Sequence, residues 1–282
     1  MSSQQGLERK LLFYRGVAVV LAALLGLLAL KLVRLSRQVG DFGEAGQTWT
    51  VDLADRAQLI EETRGDQADY SETYLVTPEG SVHLHAMGHL QVTPLHLHPA
   101  SEELVVIASG TAHVTHAWGA EGGVERREAD YPPGSVIASP RFTAHEWSNR
   151  APDRMLFNVV FTSPRFSGNF YVHPDDPRIR GEAPCTLDPV REATEQLTRL
   201  PQLGGRLWSK KVSSSWRLPP TSGAPVMAYV FAGQGTVDGE ALKPDTLVHL
   251  ESRGALELRA EAPLSLLLFD VTGKALPGRG EP

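Results

Sequence analysis

Between Ser71 and Thr162 short apolar runs alternate with turn residues: TYLV, SVHLHAM, ELVVIAS, TAHVTHAW, GSVIAS and MLFNVVF, parted by PEG, GAEGG, YPPG and RAPD. Many short runs at this spacing predict a β sandwich or barrel. The pattern returns from Arg206 as GRLWSKKVSSSW, VMAYVFAG, GTVDG, TLVHL, ALELRA and LSLLLFDV. Between the two lies one helix signal, with Asp188 as N-cap, Pro189 at the first helical position, apolar Val190, Ala193, Leu197 and Leu200, and Pro201 as the stop. Residues 41–70 are polar and mixed, and predict a stalk with one short helical turn around Leu53–Glu62. The expected class is all-β, with a first β domain over 71–165, a connector over 166–205 and a second β domain over 206–275.

One stretch departs from this rhythm. Residues 16–30, GVAVVLAALLGLLAL, carry no charge, and the apolar stretch runs from Leu11 to Val33 if Arg15 and Lys31 extend their charged ends outward. At the helical rise those twenty-three residues measure roughly 34 Å, enough to cross a bilayer. A cleaved signal peptide needs a small-x-small site after the run, and a buried core helix is not apolar all round. Instead LKLVRLSRQ follows, basic and without such a site, so residues 1–40 are read as an uncleaved single-pass membrane anchor. Arg9, Lys10 and Arg15 on one side are matched by Lys31, Arg34 and Arg37 on the other, so orientation rests on the short N-terminal tail, which favours a periplasmic or other extracytoplasmic body.

Composition narrows the function. Of 282 residues 41% are hydrophobic and 21% charged, too apolar for disorder to dominate. Residues 1–40 carry a net charge of +5, which leaves −11 on the rest. An acidic body argues against a nucleic-acid partner. The single cysteine, Cys185, cannot form an intrachain disulfide or a CxxC centre and is expected as a small loop filler. Gly233, Gly235 and Gly239 are out of register for a dinucleotide fingerprint, and no nucleophile elbow or phosphate loop is present.

Histidine carries the chemical signal. Eight of the ten, His83, His85, His89, His96, His98, His113, His116 and His145, fall within 63 residues. In PLHLHPASEELVVIASG, His96 and His98 are two apart, so an extended strand points both to one face, and Glu103 follows a Pro-containing turn. His145 comes after a second turn, with Asn149 four residues on. Imidazoles plus a carboxylate suit one divalent transition metal ion: Fe, Mn, Zn, Ni or Cu. His83 and His85 share a strand face whose direction the pattern does not fix. His113 and His116 lie on opposite faces, and neither is expected as a ligand.

These residues resemble the cupins, whose first motif runs Gly-x5-His-x-His-x3–4-Glu-x6-Gly and whose second runs Gly-x5-Pro-x-Gly-x2-His-x3-Asn. Here His96-x-His98-x4-Glu103-x6-Gly110 matches the first, and Pro132-x-Gly134 with His145-x3-Asn149 the second. Ten residues separate Gly134 from His145, no Gly stands six before Pro132, and Gly88 is two residues too far from His96. The departures fall in turns, where length varies freely. The resemblance implies a jelly-roll barrel with His96, His98, Glu103 and His145 as metal ligands. It extends into the second half, where setting Gly233 against Gly110 puts Pro219, Thr221 and Val226 at the positions of His96, His98 and Glu103. None of those is a good transition-metal ligand, so the resemblance implies two barrels in tandem, the second degenerate and metal-free.

The implied function is metal-dependent chemistry, dioxygenase-like, decarboxylase-like or isomerase-like, on a small oxygenated molecule, with Fe or Mn favoured. The alternative is a non-catalytic membrane-anchored module that binds a metal or ligand. Arg141, as an anion partner, and Trp147, as a wall, are expected near the substrate. Catalytic residues other than the metal ligands are not placed. A homodimer paired through the sheets is compatible with the family, as is a monomer.

Overall fold

The computed structural model describes residues 48–64, 69–187, 200–204, 206–221, 225–251 and 254–270, with residue 26. The apolar stretch from Leu11 to Val33 lies, apart from Gly26, outside the described residues, as does the helix expected over 188–199. Among the described residues no helix is long and apolar enough to cross a membrane.

The first half is two sheets of antiparallel strands. One has six strands, β2 (Asp69–Val76), β3 (Ser81–Met87), β5 (Glu102–Ser109), β8 (Val136–Ser139), β10 (Leu156–Ser163) and β12 (Cys185–Leu187), in the order β12-β8-β5-β10-β3-β2. The other has five, β4 (Val92–Leu97), β6 (Ala112–Ala120), β7 (Gly123–Tyr131), β9 (Ala144–Asn149) and β11 (Phe170–Tyr171), in the order β11-β4-β9-β6-β7. The connector is therefore woven into the fold, since β11 extends the five-stranded sheet beside β4 and β12 extends the six-stranded sheet beside β8. Cys185, expected in a loop, is half-buried on β12.

Sequence patterning singled out β3 and β5 because their residues are almost all buried. Physical context explains why. Val105, Ile107, Ile137 and Val160 of the six-stranded sheet pack against Val114, Tyr131 and Trp147 of the five-stranded one. On its other face Leu84, Leu104, Val106, Val159 and Phe161 join one apolar cluster with Met227, Tyr229, Leu247, Leu267 and Phe269 from the C-terminal half. A sheet covered on both faces reads as a continuous apolar run. By contrast β7, GVERREADY, is a charged outermost strand, and its exposed charges hid it from a hydrophobicity search while discouraging pairing with another chain.

The C-terminal half corrects the tandem-barrel expectation at the level of strands. Its described residues form one seven-stranded sheet, with β17 (Thr246–Leu250), β15 (Val226–Val237), β18 (Leu256–Asp270) and β13 (Leu207–Val212) in sequence across it, β14 (Ser215–Leu218) on β18 and β16 (Glu240–Leu242) on β15. ALELRA and LSLLLFDV, read as two strands, are the single 15-residue β18, and VMAYVFAG runs on into β15. Both strands stay paired through a bend with repeated register shifts. Gly233 makes the bend: its φ is +92°, and a Cβ there would meet the Pro263 carbonyl oxygen at 2.1 Å.

The seventh strand is a further correction. Residues 49–64 are no stalk: β1 (Trp49–Asp52) pairs antiparallel with β17, and α1 (Leu53–Arg64) follows it directly. Asp52 caps α1, accepting from the backbone N–H of Ala54 at 3.0 Å and Asp55 at 3.3 Å, and pairs with Lys243. Leu53, Ala57 and Ile60, spaced for one helical face, enter the apolar cluster between the halves. With few apolar residues on its remaining faces, α1 offered little signal in isolation. Pro201 also differs from expectation, because it opens the one-turn α2 (Pro201–Gly204), whose N–H groups at Gln202 and Leu203 both donate to Glu102 at 2.9 Å.

The α1 segment is fastened by Arg56, which donates to both carboxylate oxygens of Glu72 on β2 at 2.7 and 2.6 Å, with Glu72 only 1% exposed. Removing one partner of such a pair strands a buried charge, whereas replacing both with apolar groups does not. Arg56→Ala is expected to destabilise the fold by about 3–5 kcal/mol, and Arg56→Leu/Glu72→Leu together by much less. Chemical denaturation of the three proteins measures both values; equal losses for the single and double variants would contradict the pairing.

Candidate metal centre

Cross-strand register builds the site. His96 of β4 stands opposite His145 of β9, which stands opposite His116 of β6 and, through it, Arg127 of β7; Tyr171 of β11 flanks His96. Directly opposed residues share a sheet face, so this row points into the sandwich. The facing sheet presents Ser81, Thr162, Glu103 and Ser139, again in one row across β3, β10, β5 and β8. Two polar rows thus face each other at one end of an otherwise apolar interior, and His98, just beyond β4, joins them.

Four predicted ligands meet there. His96 Nε2 lies 3.1 Å from His145 Nε2, Glu103 Oε2 lies 3.3 Å from His98 Nε2, and Glu103 Oε1 lies 3.5 Å from His145 Nε2. The three histidines offer nitrogens within 4.8 Å of one another, and all four residues are buried. His96 Nδ1 can only donate to the Pro94 carbonyl, at 2.8 Å, and His98 Nδ1 to the Gly168 carbonyl, at 3.3 Å. In the neutral rings this leaves both Nε2 atoms as acceptors, that of His98 facing Glu103 and that of His96 facing His145 Nε2. Such a set repels itself unless a cation sits among it. Donor atoms about 2.1 Å from one ion stand about 3.0 Å apart at right angles and about 3.4 Å apart in a tetrahedron. The three closest separations, 3.1, 3.3 and 3.5 Å, fall in or near that range, and nitrogen donors with one carboxylate suit a borderline divalent ion.

Titration follows from the same crowding. Burial disfavours the Glu103 carboxylate, but the imidazoles of His145 and His98 outweigh it and hold its pKa well below the usual range. Burial pulls His98 down, yet the charge of Glu103 and its hydrogen bond win, and the pKa ends above 6.5. His96, with less help from Glu103, is pushed by burial down to about 4, and His145 falls well below its ordinary value for the same reason.

Other predicted residues divide. Trp147 lies in the apolar core and meets His145 edge-on at 5.9 Å between ring centroids, so it supports the ligand. Arg141 is exposed, and its charge acts on Glu102, outside the ligand cluster. Asn149 is a structural clamp: its Nδ2 donates to Met87, Gly88 and Arg154 carbonyls at 3.2, 3.0 and 2.8 Å. Gly110 has φ +79°, and a Cβ there would reach the Met155 carbonyl oxygen at 2.8 Å, so the motif glycine serves the β5–β6 turn.

His83 and His116 add to the reading. His83 is buried on the inner face, its ring 5.3 Å from Phe166, which also lies 5.4 Å from His98. His116, passed over as a ligand for want of a known parity, faces inward; its ring centroid lies 6.3 Å from that of His145 and its buried Nε2 has no hydrogen-bond partner. His113 points the other way, 2.7 Å from Asp130. Knowing that His145 pairs with His116 would have fixed the parity, and only the fold supplies that.

Proton release tests the ligand set. Between about pH 5, above the value of about 4 to which His96 is pushed, and 6.5, below the raised pKa of His98, His98 carries a proton that a metal must displace. Binding in this window is expected to release about one proton and to weaken about tenfold for each unit of falling pH, more steeply below it. Calorimetric titration with Mn(II) in buffers of different ionisation enthalpy reads the proton count. A count of zero would contradict the His98 assignment.

Residues 75–174 match the family model described as Cupin. Comparison with curated proteins gives no match. Among solved structures, salicylate 1,2-dioxygenase from Pseudaminobacter salicylatoxidans superposes with a TM-score of 0.53 and 12% identity over 83% of this chain and 87% of that one. A mutant of Bacillus subtilis oxalate decarboxylase gives 0.50 and 13% over 82% and 78%. At such identities the likeness is one of fold.

Proposed function

We propose, from the buried acceptor cluster and the Cupin family match over residues 75–174, that the chain is a metal-dependent enzyme acting on a small oxygenated molecule. The observation that carries this reading is the convergence of His96, His98, His145 and Glu103 at separations suited to a single ion. Fe or Mn suits the set best in this reading, and such an ion when bound would supply Lewis acidity or oxygen activation. The names of the two structural neighbours, a dioxygenase and a decarboxylase, support that range.

What the chain itself contributes can be stated residue by residue. The Pro94 and Gly168 carbonyls fix the tautomers of His96 and His98 and keep each Nε2 turned inward. Glu103 supplies the negative charge that offsets part of a divalent cation. Phe166, itself exposed, packs on the rings of His83 and His98. Residues 11–33 support a membrane anchor with an extracytoplasmic body, on sequence grounds alone.

The test is elemental analysis of the full chain, purified without an affinity metal column, beside His96→Ala/His98→Ala. Near-stoichiometric Fe or Mn is expected in the parent, with affinity lowered at least about 100-fold in the variant. Oxygen-uptake and decarboxylation screens of the loaded protein then separate the activities. A protein that takes up no metal even on reconstitution would overturn the reading. For the anchor, retention of the chain in membranes after alkaline carbonate washing is expected, and release of the intact chain would contradict it.

A further inference from the structure

A cavity of about 370 Å³ opens between the five-stranded sheet and the connector, lined by Trp118, Arg127, Tyr131 and residues 183–186. Register places its lining. Arg127 stands opposite His116, and Trp118, two residues along β6 from His116, shares its inward face. Across the gap, Cys185 and Thr186 sit on β12 beside Ala138 and Ile137 of β8. The cavity is thus the mouth of the sandwich between its outer strands, and the row Arg127, His116, His145 leads from it to the ligand cluster. Two strand spacings separate the backbones of Arg127 and His145, about 10 Å.

The lining has a definite chemistry. Arg127 is a cation with no carboxylate partner among the described residues, while its neighbour Arg126 is engaged by Asp175 at 2.8 Å. Trp118 and Tyr131 supply flat apolar surface on either side, and the Tyr131 ring also meets His116 edge-on at 6.3 Å. His116 Nε2 is buried without a partner at the inner end. Burial and the charge of Arg127, opposed by Glu103, together bring His116 down to about 4. A planar fork beside aromatic walls recognises a carboxylate on a flat body. The volume suits a molecule of about one ring.

We propose that this cavity binds the carboxylate of a small aromatic acid, with Arg127 as the anion partner, Trp118 and Tyr131 as the walls, and His116 between the bound acid and the metal ligands. The proposal names the substrate class for the metal-dependent reading and rests on it for what happens next to the bound acid. Binding itself needs no metal.

Benzoate, with the neutral isostere benzamide, is the probe, titrated calorimetrically into the full chain in metal-loaded and metal-stripped forms and into Arg127→Gln and Trp118→Leu. Benzoate is expected to bind both forms of the parent with dissociation constants within about threefold of each other, and benzamide about tenfold or more weaker. Arg127→Gln is expected to lose about tenfold or more with metal content unchanged, and Trp118→Leu to lose affinity for both probes alike. Equal benzoate affinity in the parent and Arg127→Gln would overturn the assignment. So would binding that vanishes on metal removal, since the anion would then be a ligand of the ion, and that outcome leaves the metal centre standing. Arg127-dependent binding by a chain that takes up no metal would support the cavity and overturn only the metal-dependent reading.

Discussion

Mutual repulsion among buried acceptors is the constraint around which the first half is arranged. Glu103 and the Nε2 atoms of His96, His98 and His145 are gathered where none can reach bulk water. In an apolar interior such a group costs several kcal/mol unless its charge is met. Without an ion the cluster settles this with a proton shared between His98 and Glu103, which explains why those two shift in opposite directions while His96 and His145 are simply driven neutral. The backbone carbonyls of Pro94 and Gly168 remove the other escape, ring rotation, by holding the outer nitrogens.

Antiparallel register then does the spatial work. Histidines far apart in sequence become neighbours because each lies opposite the next in adjacent strands, and the facing sheet delivers Glu103 by the same rule. Trp147 and the apolar pairs behind it fill the opposite end, while among the described residues of the polar end His116 Nε2, His145 Nδ1 and Ser139 Oγ lack partners. Polar capacity left open in a packed interior is where a ligand finds its footing.

Legibility in the sequence followed the range of the signal. His96, His98 and Glu103 fall within eight consecutive residues, and a two-residue strand period suffices to put both imidazoles on one side. The buried runs of β3, β5 and β10 were equally plain, since sheets covered on both faces leave no polar alternation to confuse them. What stayed hidden needed tertiary knowledge: the inward parity of His116, the charged edge strand β7, the capture of Trp49–Asp52 by a strand two hundred residues away, and the bend that makes one strand of two at Gly233. Trp147, expected beside the substrate, packs in the apolar core next to His145.

The six-stranded sheet has no outside. One face completes the sandwich that holds the ligand cluster and the other is pressed against the C-terminal strands and α1. The half with the histidine cluster therefore does not stand as a self-sufficient module, because cutting the chain near residue 205 would bare a wall of Leu84, Leu104, Val106, Val159 and Phe161 to water. The two halves share one wall. Through that wall any ligand that tightens the cluster of His96, His98, Glu103 and His145 would also secure strands it never touches, and the C-terminal strands act as the buttress behind the sheet that carries Glu103.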